Sequence, residues 1–211
     1  RRRRIPFVAY VGTAHSLDSN FKSKVMNALF AAGTLRIYKK NPVLAKTSAA
    51  KEELRQLGVP HAVIAPVGLD NAVLKKNIPA DEKMRLRKEH GFEADDVILC
   101  NVSRLSWEKR PLELIDLFLQ VKGKKKFKLI IVGNGPLEEE LNEKIRKNGL
   151  EKEVKIYPNV PYEKMWEIYE MSDYYLNMNK GEIFGMAIME AVYYKTSVAA
   201  IRALGPSVTL K

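Results

Sequence analysis

From Val97 to Ala200 the chain alternates short unbroken apolar runs with longer stretches whose apolar residues recur every three or four positions. Val97–Val102, Phe127–Val132, Val154–Tyr157, Tyr174–Asn177 and Ser197–Ala200 read as strands. Between them Pro111–Val121, Pro136–Lys147, Tyr162–Met171 and Phe184–Tyr194 read as helices, with Pro136 in a first turn and Gly149 after the same helix. Such alternation predicts a parallel sheet with helices on both faces and right-handed crossovers. Upstream the rhythm is looser. Ile5–Val11 reads as a strand and Gly12–Ser16 as a loop. Asn20–Ala32 reads as a helix from the spacing of Phe21, Val25, Leu29 and Ala32, with Gly33 as its stop. Residues 34–46 lack a clear period and fit a helix followed by a short strand at Pro42–Ala45. Ser48–Leu57 reads as a helix capped by Ser48 and ended by Gly58 and Pro60, and His61–Pro66 as a strand. Val67–Pro79 reads as a connector, and Asp81–His90 as a charged helix ended by Gly91. The chain has no internal repeat.

Composition narrows the class. The 211 residues suit one large domain or two small ones, and 46% apolar residues suffice for a core. The longest apolar run falls far short of the ~18 residues of a membrane span. A single cysteine, Cys100, rules out a disulfide within the chain and fits a reducing cytoplasm. The opening Arg1–Arg4 is followed by a short β-like run, not by the long apolar stretch of a secretory signal. The net charge of +11 favours anionic partners: nucleic acid, a membrane surface or phosphate-bearing small molecules.

In a parallel sheet of this kind ligands bind beyond the carboxyl ends of the strands. The residues that follow the strands therefore matter most. Arg104 and Lys109 follow the first strand, Gly133-Asn-Gly135 the second, Pro158–Pro161 the third, and Lys180-Gly-Glu-Ile-Phe-Gly185 the fourth. Arginine offers a planar fork to phosphate oxygens and lysine a point charge. Gly133-Asn-Gly135 tempts a dinucleotide reading. However, position 138 is Glu where a third glycine would stand, and Glu138, Glu139 and Glu140 would repel a pyrophosphate. A tight strand-to-helix turn is the better reading. Glu182 lies just before a helix and Glu190 eight residues on, roughly two turns, so both can face one cleft. Gly185 would let backbone N–H groups approach a phosphate. Glu190 sits among Met186, Ala187, Ile188, Met189, Ala191 and Val192, so its carboxylate needs a partner; a ribose diol or a lysine would serve.

Four segments together resemble one family. Glu182-Ile-Phe-Gly-Met-Ala-Ile-Met-Glu190 is similar to the Glu-x7-Glu motif of the retaining glycosyltransferase family 4, of the GT-B superfamily. Val102-Ser-Arg-Leu-Ser-Trp-Glu-Lys109 resembles that family's Gly-Arg-Leu…Glu-Lys stretch, and Ile130-Ile-Val-Gly-Asn-Gly-Pro136 its Val-Gly-x-Gly-Pro turn. Lys51–Val59 with Ala65–Asp70 resembles the helix and hinge ahead of its donor domain. Ser103 stands where a glycine is usual, Arg110 where a glycine is common, and Ile183 where a small residue or proline is common. The resemblance covers residues 42 to 205, and Val8–His15 is similar to the family's strand ending in Thr-x-His.

The resemblance implies two Rossmann-like lobes: a partial acceptor-side lobe and hinge over 1–68 and a nucleotide-sugar-binding lobe over 69–211. It implies transfer of a sugar from a nucleotide-diphosphate sugar, of UDP type, to an acceptor hydroxyl with retention, in polysaccharide or glycoconjugate synthesis. Arg104 and Lys109 would neutralise the leaving diphosphate, Glu182 would hold sugar hydroxyls, and His15 would reach the sugar. Glu190, Phe184, Gly185, Val160 and Gly133 would bind the donor, Glu190 through the ribose and Val160 through backbone near the base. The leaving phosphate would act as base. With no Asp-x-Asp or His/Cys cluster in the sequence, neither a metal nor a cofactor is expected. The acceptor would be a glycan or lipid-linked molecule, in the cytoplasm or at the inner membrane face with peripheral membrane contact. Because much of the acceptor lobe is missing from the matched segments, the chain alone is expected to transfer little sugar.

Other classes remain open to the sequence. Donor binding without turnover is one. A nucleic-acid module is disfavoured because aromatics do not interleave with the basic clusters. A membrane-surface adaptor would rest on Phe21, Lys22, Lys24 and Arg1–Arg4, a weakly amphipathic set. His61 and His90 read as surface residues.

Overall fold

The computed structural model describes residues 7–12, 21–70, 72–123, 125–203, 206 and 210. They fall into two compact units. One comprises the described residues of Arg1–Gly68, Gly181–Phe184 and Ala203–Lys211; the other is Leu69–Lys180 with Gly185–Arg202.

In the first unit three short strands, β1 (Ala9–Val11), β2 (Val43–Ala45) and β3 (Val63–Ile64), form a parallel sheet in the order β1-β2-β3. Val11, Val43 and Ala45 from the strands, Leu35 from helix α1 (Phe21–Tyr38), and Ala50 and Leu54 from helix α2 (Ser48–Gln56) make its core. Two expectations need correction. Gly33 does not stop α1, which runs on to Tyr38. A glycine inside a helix costs only ~1 kcal/mol against alanine, and Leu35, 7% exposed, anchors the continuing helix in the core. The helix ends where the Asn41 side-chain amide donates to the carbonyl of Ile37 at 2.8 Å. The cap of α2 is Thr47, not Ser48: its extended backbone lets the hydroxyl accept from the Ala50 N–H at 3.0 Å.

In the second unit α3 (Glu82–Glu89) precedes β4 (Val97–Val102), α4 (Pro111–Val121), β5 (Phe127–Val132), α5 (Glu138–Lys147), β6 (Val154–Tyr157), α6 (Met165–Met171), β7 (Tyr174–Asn177), α7 (Met186–Tyr193) and β8 (Ser197–Ala200). Pro136 lies just outside α5, so that helix starts later than its proline suggests. The five strands are all parallel, in the order β6-β5-β4-β7-β8. Alternate residues point to opposite faces. Ile98, Cys100, Ile130, Val132 and Tyr175 pack under α3, α6 and α7. Leu99, Leu129 and Ile131 pack under α4 and α5. Both units are thus parallel sheets with helices packed against them, and the larger one carries helices on both faces.

The chain steps outward from β4 to β5 and β6, then crosses back and steps the other way through β7 and β8. The strand order therefore reverses between β4 and β7, and that is where an open sheet of this kind forms a crevice at its carboxyl edge. The ladder between β4 and β7 pairs Leu99 with Tyr174 and Cys100 with Tyr175. Beyond it the Asn101 side chain continues the join, donating to the Leu176 carbonyl at 2.7 Å.

At the opposite edge a polar network anchors α3. Arg87, 5% exposed, donates to the carbonyls of Met171 and Asp96 at 3.0 and 3.1 Å and to Asp173 at 2.7 Å. Asp173 also accepts from Lys83 at 2.8 Å and from the Ile98 N–H at 2.8 Å. Burial alone would raise the Asp173 carboxyl, but Lys83, the Ile98 N–H and Arg87 outweigh it and hold it below its ordinary value.

Candidate active site

The loop after β4 is stitched to the loop after β5 by backbone. The Ser103 N–H donates to Val132 O at 3.0 Å, the Leu105 N–H to Asn134 O at 2.9 Å, and the Leu137 N–H to Leu105 O at 3.0 Å. This closeness explains both glycines. A β-carbon on Gly133 would lie 2.0 Å from Ser103 O, and one on Gly135 would lie 2.5 Å from Leu105 O. The tight-turn reading of this segment therefore holds in the geometry.

The stitched loops form one wall of a cavity of about 300 Å³ at the carboxyl edge, rimmed by Arg104, Gly133, Asn134, Pro158, Asn159 and Val160. Of the expected residues, Arg104, Gly133 and Val160 thus meet around one space. Asn134 donates across the rim to the Asn159 side-chain oxygen at 2.8 Å and to the Pro158 carbonyl at 3.3 Å. Arg104 is exposed. Lys109 is half-buried and ends a short 3₁₀ turn, Trp107–Lys109. Glu108 is held below the usual carboxylate range, first by the Ser106 hydroxyl, which donates at 2.6 Å, then by its own backbone, with the charges of Lys109 and Arg104 adding to this. Both cations therefore act on one patch of the loop.

Glu190 lies on α7 and is 7% exposed. Its partner is not a lysine. Tyr169 donates to Oε2 at 2.7 Å and Tyr162 to Oε1 at 3.2 Å. Burial raises both phenols above their ordinary value, and the Glu190 charge raises them further. Sequence reasoning missed this pair. Tyr162 and Tyr169 are seven residues apart, a helical spacing that reads as a core stripe; the signal was the acid on an apolar helix that required donors from elsewhere. Gly185 precedes α7 with φ +81°, and a β-carbon there would fall 2.7 Å from the end of the Ile188 side chain. The helix begins at Met186, two residues later than its sequence pattern suggests, and Glu182 lies ahead of it as expected. Glu182 and Phe184 belong to the first unit, where Phe184 is 8% exposed with the Lys46 ammonium 5.6 Å from its ring centroid. His15 lies outside the described residues. His61 is exposed, whereas His90 is half-buried and its Nδ1 pairs with the Tyr157 hydroxyl at 2.9 Å.

The second unit is thus a doubly wound sheet with a cationic loop and a rimmed cavity at its carboxyl edge. The family model for glycosyl transferases group 1 matches residues 82–211, more than half of the chain, and the chain belongs to that family. It is 24% identical over 139 residues to the alpha-monoglucosyldiacylglycerol synthase of Streptococcus pneumoniae, covering 65% of this chain and 32% of the relative. It is 26% identical over 108 residues to the N-acetyl-alpha-D-glucosaminyl L-malate synthase of Bacillus anthracis, covering 51% of this chain and 28% of the relative. Among solved structures, Anabaena HepE in complex with UDP and glucose superposes with a TM-score of 0.77 at 22% identity, over 96% of this chain and 54% of that one. WaaG, a glycosyltransferase involved in lipopolysaccharide biosynthesis, gives a TM-score of 0.75 at 16% identity, over 95% of this chain and 58% of that one. These likenesses show the fold. The chain spans between about a quarter and three fifths of the length of these proteins. No helix among the described residues is long and apolar enough to cross a membrane.

Proposed function

We propose that this chain carries the donor-binding part of a retaining glycosyltransferase that moves a sugar from a UDP-sugar to an acceptor hydroxyl. The observation that carries the reading is the site of the second unit: cationic Arg104 and Lys109 on one loop after β4, beside a cavity of about 300 Å³, with Glu190 on the helix that follows the strand across the reversal point. The bond between the anomeric carbon and the diphosphate oxygen breaks as the bond to the acceptor oxygen forms, and the acceptor proton passes to the departing phosphate oxygen. Negative charge grows on the diphosphate, and fixed cations stabilise it without reorganising. Arg104 and Lys109 take that role without a metal. Glu190 accepts from the ribose hydroxyls, Val160 and the rim asparagines meet the base, and Gly185 leaves the backbone open to phosphate. The bound UDP and glucose of the Anabaena neighbour support the donor class. The names of the Streptococcus relative and of WaaG support a lipid-linked or glycan acceptor and glycoconjugate synthesis.

Calorimetric titration tests the reading. Lys109→Ala should weaken UDP binding roughly tenfold, as loss of a charged hydrogen bond does, and should leave uridine binding nearly unchanged. Equal weakening of both ligands, or no UDP binding by the unaltered chain, would overturn it. Retention is read from the anomeric configuration of the product by NMR.

A further inference from the structure

We propose that Tyr162 is a placeholder on Glu190: its hydroxyl occupies the carboxylate oxygen that a ribose hydroxyl takes, and it leaves when nucleotide binds. This rests on the ribose role of Glu190. The two tyrosines that hold Glu190 are unlike. Tyr169 is 1% exposed; its ring stacks on Tyr194 at 5.8 Å with 11° between planes and lies 6.2 Å from Tyr175. Its backbone carbonyl is held by Thr196 Oγ1 at 2.9 Å. It has nowhere to go, and its 2.7 Å bond to Oε2 fixes the carboxylate plane. Tyr162 is 45% exposed and opens a 3₁₀ turn directly after Pro161. Its bond to Oε1 is longer, 3.2 Å.

Glu190 itself is nearly buried, and of its two named donors only Tyr162 faces solvent. A hydroxyl arriving from solvent reaches Oε1 on the side Tyr162 covers. The exchange trades one O–H donor for another, so the carboxylate is never left dry and unpaired, a state that would cost more than the bond itself is worth. The phenol moves into water, where its hydroxyl is satisfied at once. The empty site is thereby kept from the penalty of a naked buried charge, and the bound site loses affinity equal to the bond it displaces. Tyr162 also sits two residues after Val160 on the cavity rim, so its departure from Glu190 occurs beside the space assigned to the base.

Titration of UDP and of 2′,3′-dideoxy-UDP into the unaltered chain, Tyr162→Phe and Tyr169→Phe separates the possibilities. The unaltered chain should bind UDP more tightly than the dideoxy ligand. Tyr162→Phe should bind UDP about two- to tenfold more tightly, since the ribose no longer displaces a hydrogen bond of ordinary net worth, and should gain much less on the dideoxy ligand. Tyr169→Phe should weaken UDP, because the fixed donor is lost. If the unaltered chain binds both ligands alike and Tyr162→Phe does so too, the ribose role of Glu190 fails and the placeholder with it. If it discriminates while Tyr162→Phe is neutral or weaker on UDP, the ribose role stands and the placeholder is overturned. An equal gain on both ligands, or tightening by Tyr169→Phe as well, also overturns it.

Discussion

Arg110 holds φ 57° and ψ 49° at the start of α4, a left-handed backbone that crowds a β-carbon, and its Nε donates to Glu113 at 2.9 Å. The left-handed strain costs about 1–2 kcal/mol. The half-exposed ion pair returns only a few tenths, and glycine would give back part of the gain as chain entropy. Arg110→Gly should therefore stabilise the chain by about 0.5 kcal/mol, read as a shift in the urea midpoint. The glycines of the site should behave in the opposite way and in a definite order. At Gly133 the obstacle to a β-carbon is the Ser103 backbone carbonyl, which cannot step aside. Gly133→Ala should cost about 3 kcal/mol or more. At Gly185 the obstacle is the buried Ile188 side chain, which can repack where a backbone carbonyl cannot, so Gly185→Ala should cost about 2 kcal/mol, from its positive φ and that repacking. The reverse order would mean that the two loops are not held together as described.

At the scale of elements, α3 is tied to the sheet by charge as well as by packing. Arg87→Ala would leave Asp173 and three carbonyls, those of Met171, Ala94 and Asp96, short of a buried donor. A loss of about 3–5 kcal/mol should follow. Asp173 is depressed in the folded state. Its contribution is therefore complete above the unfolded carboxylate value of about 3.9 and drains away as pH falls through the lower folded value. Thermal unfolding followed down from pH 6 should show an acid limb that is flatter in Asp173→Asn, which is already less stable at pH 6. The elements themselves were largely legible. Val97–Val102, Phe127–Val132, Val154–Tyr157, Tyr174–Asn177 and Ser197–Ala200 have the bounds their residues suggest; the first two, largely buried, are apolar runs cut off by polar turns. Gly33 misled because a glycine ends a helix only when the chain turns left-handed there, and tertiary anchoring by Leu35 kept it straight. The Tyr162–Glu190–Tyr169 cluster was hidden for a different reason: its partners are 28 and 21 residues apart, and no local pattern encodes which donor a fold brings to an acid.

For the whole molecule, the net charge of +11 sets a background field that favours the approach of anions. UDP affinity should fall as salt rises from about 50 mM to about 500 mM, since the Debye length shrinks from above 10 Å to below 5 Å. Lys109→Ala should show a shallower fall, having already lost one of the charges being screened. The same titration with a chelator present should give an unchanged affinity, as the proposed division of labour gives the diphosphate to Arg104 and Lys109. A chelator-dependent loss would assign that task to a metal instead. Binding isotherms at two salt concentrations, with and without chelator, read both outcomes.

The backbone stitching between the loops after β4 and β5 bears on how donor preference could be altered. Leu105 is bracketed on both sides, its N–H by Asn134 and its carbonyl by Leu137, with Gly135 packed flat against it and Gly133 against Ser103. Neither loop can be lengthened or redrawn without unseating the other, so insertions tolerated on most protein surfaces should fail here in pairs. Side chains at the rim are under no such constraint. A directed-evolution library aimed at accepting a different base would gain most from Asn134, Asn159 and Val160, leaving the scaffold behind them untouched.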